Sequence, residues 1–386
     1  MTFTALAVNE AQYSELVVGA MTTAFYLGLG IASFSVDKLI SSVGHIRVFA
    51  AFTAGLAIVT LCQGLFFDPI FWFAMRFAAG FFTAGLFIVV ESWLLLIGGV
   101  QTRGRILAFY MIAFYAAQSL GQLLLYLPDV NVLLPYVVAA LLCSLSIIPM
   151  TLLRIQAPTF EPHSQLNIIE LFKLAPSGWL SCLCSGLVLG ALYGLMPIFI
   201  LQKTMNQDYV SWMMALIIWG GMLLQYPIGR LSDYLGRRSV LIGICLMILT
   251  LSILIILVSD QWTLVAVLLF LFGGFSFTIY PVSITMACDV LTDRQIVPAT
   301  QGLVFVYSLG SISGPLLASG VLYFASNNGL FIYYLVISLI LMGFISVRKW
   351  QTPRRVPETK FLSTPQTATP TAVELDPRIE SESTKS

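Results

Sequence analysis

The stretch GRLSDYLGRRS at residues 229–239 lies against DKLISSVGHIR at residues 37–47 when the chain is slid along itself by 192 positions, the distance from Gly44 to Gly236. Two further matches keep nearly the same shift. RFAAGFFTAG at 76–85 meets FLFGGFSFTI at 270–279, a shift of 194 that pairs Gly80 with Gly274, and QSLGQLLL at 118–125 meets SISGPLLA at 311–318, a shift of 193. Register held across that much sequence marks an internal duplication in which each copy is one bundle.

Composition says where the copies live. Of 386 residues 58% are hydrophobic and 10% charged, where a soluble domain carries about 25% charged residues. Crossing a bilayer takes roughly 20 apolar residues, and eleven such runs are present: 15–35, 48–66, 70–96, 106–127, 133–153, 178–200, 209–228, 239–258, 262–287, 298–324 and 330–347. The runs are apolar all round and rich in glycine, whereas barrel strands alternate apolar and polar residues over about ten positions. The expected fold class is therefore an all-α polytopic membrane protein of two pseudo-symmetric helical bundles. No basic segment with a cleavage site opens the chain.

The organisation follows: an N-terminal bundle over 1–153, a polar, Pro-containing linker over 154–176, a C-terminal six-helix bundle over 177–347, and a disordered tail over 348–386, too polar to bury a core. Lys and Arg sit in alternate loops, at Lys38 and Arg47, Arg103 and Arg105, Arg154 and Lys173, Arg230, Arg237 and Arg238, Arg294, and from Arg348 onward, while the opposite loops hold only Lys203. That bias puts the basic loops and the carboxyl terminus in the cytoplasm. Moved back by 193 positions, the run at 178–200 would begin ahead of residue 1 and end near residue 7. The first bundle is thus expected to lack most of its first helix, either through truncation or a wrong start site or as a genuine eleven-helix variant.

Residues 226–238, YPIGRLSDYLGRR, resemble the G-x-L-x-D-x-x-G-R-R loop of the major facilitator superfamily, with Gly229, Arg230, Asp233, Gly236, Arg237 and Arg238 forming the candidate gating loop. A carboxylate set among guanidinium groups can latch the cytoplasmic face by charge-assisted hydrogen bonds; the plain alternative is a basic loop that only orients the helices. The first-half copy has Ser41 in place of the Asp, with His45 and Ile46 in place of the arginine pair. RFAAG at 76–80 resembles the family's R-x-x-x-G element, with Ala79 where a Gln is usual. VVESWL, RGRILAFYM, SLGQLLL, LYGLMP and YPIGRL resemble the YcaD-like branch of that superfamily. The resemblance implies a single-polypeptide secondary transporter, commonly proton-driven, that alternates access by rocking its halves.

Candidate cavity residues are the polar groups inside spans: Arg76, Glu91, Gln118, Gln122, Tyr193, Gln225 and Tyr280. An unpaired Arg in hydrocarbon costs at least about 2.5 kcal/mol, so a functional partner is expected. Glu91 is either a protonatable group near the inner end of the pathway or a partner of Arg103 or Arg105, and Asp289 is read as a solvated helix end. Pro197, Pro281, Gly314 and Pro315 are candidate bending points. Gly186, Gly190 and Gly194, with Gly310 and Gly314, offer smooth faces for close helix approach.

The expected partners are a small-molecule solute, protons and the lipid bilayer, with no nucleic acid, cofactor or metal, in a monomer of the bacterial inner membrane. The two histidines, His45 and His163, lie far apart in loops and the six cysteines are scattered, so no catalytic constellation is formed and no enzyme is expected. The other readings are a non-transporting sensor or scaffold, and an inactive truncated transporter.

Overall fold

The structure, a computed structural model, describes residues 2–97, 103–122, 133–152, 168–258, 261–291, 293–325 and 328–351. Over them the chain is helical: α1 (Thr2–Glu10), α2 (Glu15–Val43), α3 (His45–Leu65), α4 (Pro69–Ile97), α5 (Arg103–Gln122), α6 (Leu134–Leu152), α7 (Ile168–Leu174), α8 (Pro176–Thr204), α9 (Gln207–Leu235), α10 (Arg237–Leu257), α11 (Trp262–Cys288), α12 (Asp293–Ala325) and α13 (Gly329–Gln351). No strand occurs among the described residues. Ten of these helices are long and apolar enough to cross a membrane. With α5 they account for all eleven expected runs.

The duplication is visible in the helix contacts. In the first half α2 packs on α4, and α3 packs on α4 and α6; in the second, α9 packs on α11, and α10 on α11 and α13. The crossing of α2 and α4 is set by two glycines, Gly28 against the Phe77 carbonyl and Gly80 against that of Phe25. Gly220 against Phe270 and Gly273 against Ile217 repeat that crossing in α9 and α11. A side chain at any of these four positions would run into a neighbouring backbone, so the helices approach as only glycine allows. The crossing also corrects one register: Gly80 corresponds to Gly273, a shift of 193, and not to Gly274. Gly274 instead meets Leu224 at the edge of the crossing; the sequence match slipped because a second glycine follows the first.

The loops that join α2 to α3 and α9 to α10 match too. Each is a single glycine, Gly44 at φ +92° and Gly236 at φ +85°, a region other residues enter only at a cost. Chain reversal within one residue holds the basic ends of both helix pairs together.

The expected glycine stripes meet one another. Gly186 and Gly190 on α8 lie against Tyr307 and Ser311 of α12, Gly310 and Gly314 of α12 lie against Leu183 and Leu187 of α8, and Gly194 faces Thr22 of α2. Helices α8 and α11 stay helical through Pro197 and Pro281, as does α12 through Pro315; Pro149 and Pro227 also lie inside helices.

Two boundaries differ from expectation. The segment read as a polar linker contains α7, whose Leu171 is fully buried against Gly302 of α12, because the short run IIELFKL carries an apolar face. The last bundle helix runs to Gln351, four residues past the expected 347, with Arg348 and Lys349 in a last turn that favours cations. Residues 2–10 form α1, packed on α8 and α2, where the shift places the counterpart of the end of α8. The tail from 352 onward lies outside the described residues.

Candidate functional site

The two halves meet where α2 packs on α12 and where α5 packs on α9, a pair related by the same shift. Both seams carry side-chain hydrogen bonds. Thr23 of α2 donates to the Ile312 carbonyl of α12 at 2.6 Å, and Gln202 of α8 donates to Glu15 of α2 at 3.1 Å. At the centre Tyr115 of α5 donates to Gln225 Oε1 of α9 at 3.1 Å, and Tyr193 of α8 donates to Gln118 Oε1 of α5 at 3.0 Å. Tyr115 and Gln118 are three residues apart on α5, hence neighbours on one helix face. That face is tied to the second half twice.

Around these bonds the seam is aromatic. Phe277 of α11 lies 5.9 Å from the rings of both Tyr115 and Tyr193, and Tyr280 lies 4.7 Å from Tyr307 of α12. Tyr115, Tyr280 and Tyr307 are buried, as is Gln225. Buried amides and phenols need hydrogen-bond partners, and here several find them across the boundary between the halves, so separating the halves exchanges those partners.

Arg76 sits one layer away, in the first half. It is 7% exposed, its Cζ lies 4.8 Å from the centre of the Phe25 ring, and Tyr26 and Tyr136 are its electrostatic neighbours. A guanidinium over a ring face recovers part of its desolvation cost. Tyr26 is in turn an electrostatic neighbour of Tyr307 in the second half.

Of the expected cavity residues the structure joins Tyr193 to Gln118 and sets Gln225 on Tyr115 of the same α5 face, while Tyr280 lies against Tyr307. Gln122 lies a turn beyond Gln118, its Oε1 buried and without a hydrogen-bond partner among the described residues. Glu91 is in α4, and its side chain lies outside the described residues. Sequence reading missed Tyr26, Tyr115, Phe277 and Tyr307. A signal existed for Tyr115, because AFYAAQ places a phenol and an amide three apart on a helix. The others are lone aromatics in apolar runs and look like packing.

The basic loop holds an ion-pair group. Arg237 Nε lies 2.5 Å from Asp289 Oδ2 at the end of α11, and its Nη1 lies 3.7 Å from Asp233. Asp289 is thus an ion-pair partner and not a solvated helix end. Arg238 donates to the Arg348 carbonyl at 3.4 Å. Gly236 makes the turn and Gly229 accepts from Ser232 at 2.6 Å. Arg230 is not in this group: it is exposed on α9 and interacts with Tyr226 and Tyr234.

A duplicated, all-helical, apolar bundle with a polar seam buried between its halves defines the class, an integral-membrane transporter. The model of the Major Facilitator Superfamily matches residues 1–202 and again 178–375, and the chain belongs to that superfamily, in its YcaD-like branch. It is 31% identical over 370 residues to the uncharacterised MFS-type transporter YcaD of Escherichia coli O6:K15:H31 (strain 536 / UPEC), covering 92% of each chain, and equally to that of E. coli O157:H7 (strain EC4115 / EHEC). Among solved structures it is similar to a bacterial homologue of the human lysosomal transporter Spinster in its inward-facing, occupied form, with a TM-score of 0.70 and 13% identity over 91% of this chain and 93% of that one. The human organic anion transporter MFSD10 matches with a TM-score of 0.58 and 16% identity over 86% and 83%. At such identities these two speak for the fold alone.

Proposed function

We propose that the chain is a secondary transporter that moves a small solute across the bacterial inner membrane by alternating access, driven by protons, with the basic loops and carboxyl terminus in the cytoplasm. The observation that carries this reading is the central seam, in which Tyr115–Gln225 and Tyr193–Gln118 join the two halves by hydrogen bonds that rigid rocking can break and remake. Each such bond is worth only about 1 kcal/mol net. A seam of that strength holds one state without freezing it.

The described cross-half bonds occupy the middle of the bundle and the end that carries Glu15 and Gln202. This supports a resting state closed at the end away from the basic loops. The second-half loop, with Arg237 between Asp233 and Asp289, serves as its cytoplasmic latch. Gln118, Gln122, Tyr193, Gln225 and Tyr280 line the path, Arg76 supplies positive potential through Tyr26, and Glu91 is the candidate proton carrier. Pro197, Pro281 and Pro315, with Gly314, absorb the bending.

The test is flux in proteoliposomes under an imposed pH gradient, with a solute panel that begins with organic anions, the class MFSD10 carries. Gradient-dependent flux that is lost in Glu91→Gln supports the proposal. Flux of a solute that ignores the gradient removes the proton coupling, and no flux of any solute removes the transporter reading.

A further inference from the structure

We infer that Tyr226, Arg230 and Tyr234 form a binding site for the phosphate of an anionic phospholipid in the leaflet at the basic end of the bundle, the cytoplasmic leaflet on the orientation proposed above. The ion-pair group leaves Arg230 unused. Arg230 is exposed, and Tyr226 and Tyr234, four residues to either side, are each 69% exposed. Arginine donates only, and Tyr226 and Tyr234 stand one turn to either side of Arg230 on the same face of α9. Each phenol then keeps its own O–H to donate. The result is one cation flanked by two hydroxyl donors on the same helix face, the donor set that a phosphodiester accepts.

The rest of that face says which phosphate. Trp212, Trp219 and Leu223 continue the stripe toward the other end of α9 at helical spacing and are 51%, 41% and 56% exposed. The opposite face, with Gly220 and Leu224, is the one packed on α11. An exposed apolar stripe in a membrane helix faces acyl chains. Arg230 stands six residues before Gly236, about 9 Å along the axis, a depth from which an arginine reaches the headgroup layer. A molecule with a phosphate at Arg230 and a hydrocarbon tail along Leu223 and Trp219 matches both parts; free phosphate matches only the first. Asp233, the neighbouring acid, is engaged by Arg237.

The experiment is native mass spectrometry of the full chain purified in mixed micelles with phosphatidylglycerol or phosphatidylcholine, comparing wild type, Arg230→Gln, Y226F/Y234F and the control Arg47→Gln. Arg47 is also exposed at the basic end, but Val43 and Ala51 stand four residues to either side. Arg230→Gln should lower retained phosphatidylglycerol about tenfold or more and the double phenylalanine variant about threefold, with Arg47→Gln near wild type. Equal retention in wild type and Arg230→Gln, an equal loss in Arg47→Gln, or equal retention of phosphatidylcholine would overturn the site. So would displacement of the lipid by inorganic phosphate at a concentration no higher than the lipid's, and none of these outcomes bears on whether the chain transports a solute.

Discussion

Helices α5 and α12 occupy corresponding places in the two halves, yet they are held differently. Helix α12 packs along the 29-residue α8, with Gly310 and Gly314 pressed on the backbone at Leu183 and Leu187. Helix α5 packs chiefly on α9, in the other half. Its Gly121, the counterpart of Gly314, is exposed, and among the described residues nothing lies within 4 Å of where a Cβ would stand. The cores follow suit: one continuous cluster fills the second half and reaches α1, Trp72, Tyr115 and Tyr136, while a smaller one joins α2, α3 and α4. Over the described residues, α12 is supported by α8 within its own half and α5 by α9 across the seam. Pattern fixes the class of helix contact; the neighbour actually present fixes its strength.

The largest effect should fall on the contact of α8 with α12. Gly310→Leu places a side chain where the Leu187 amide nitrogen lies 2.9 Å and the Gly186 Cα 3.1 Å from the Cβ, backbone atoms that cannot yield without parting α8 from α12. The cost should be about 3 kcal/mol or more, read as loss of monodisperse, folded protein in detergent. Gly28→Leu and Gly220→Leu sharpen the comparison where the halves agree. Each added Cβ meets the backbone of Phe77 or Phe270, with the carbonyl carbon at 2.9 Å and 2.8 Å, so the two variants should lose melting temperature alike. Unequal losses would mean that the α2–α4 crossing is not the repeat of α9–α11.

The basic loops come next. By the shift of 192, Arg237 corresponds to His45, and the loops share their glycine turn but only the second carries the Arg237–Asp289 pair. Arg237→His writes the first-half residue into the second half. It removes a charge-assisted hydrogen bond to a carboxylate that is 14% exposed and should cost about 2 kcal/mol, measured by thermal unfolding. Asp289→Asn should give a similar loss, and the double variant little more than either alone.

These differences explain what was legible in sequence. The fold, the spans and the duplication could be read because they rest on long apolar runs and on glycines at fixed spacing, such as Gly44 and Gly236. Gly80 was matched one residue off because Gly273 and Gly274 are adjacent and only packing tells which one faces the partner helix. The seam was half legible: Gln118, Gln225 and Tyr193 stand out as polar groups in hydrocarbon, whereas Tyr26, Tyr115 and Tyr307 gain meaning only from the helices they face. Asp289 misled for a related reason. Its partner Arg237 lies 52 residues away in the chain, so its position near a helix end suggested solvent.

The seam gives a smaller effect with a functional readout. Tyr115→Phe and Tyr193→Phe each remove one cross-half hydrogen bond, and each should cost about 1 kcal/mol of whichever state the bond holds. In a flux assay that is a rate change of up to roughly fivefold with folding nearly unchanged. A variant that unfolds the chain without changing the flux of the folded fraction would make the bonds part of the packing and not of the gate.

The smallest effect is the most discriminating. Gly121→Leu is the same substitution as Gly314→Leu, at the same place in the repeat, yet it should change stability by less than about 0.5 kcal/mol, since surface changes away from special features stay within that range. Leucine is also the better helix former, by several tenths of a kcal/mol or more, so a slight gain is the expected sign in a thermal melt. If Gly121→Leu instead costs as much as Gly314→Leu, then α5 is pressed against another helix in the working protein. The contrast between the halves would then vanish, and Tyr115 and Gln118 would lie in a seam between two equally supported bundles.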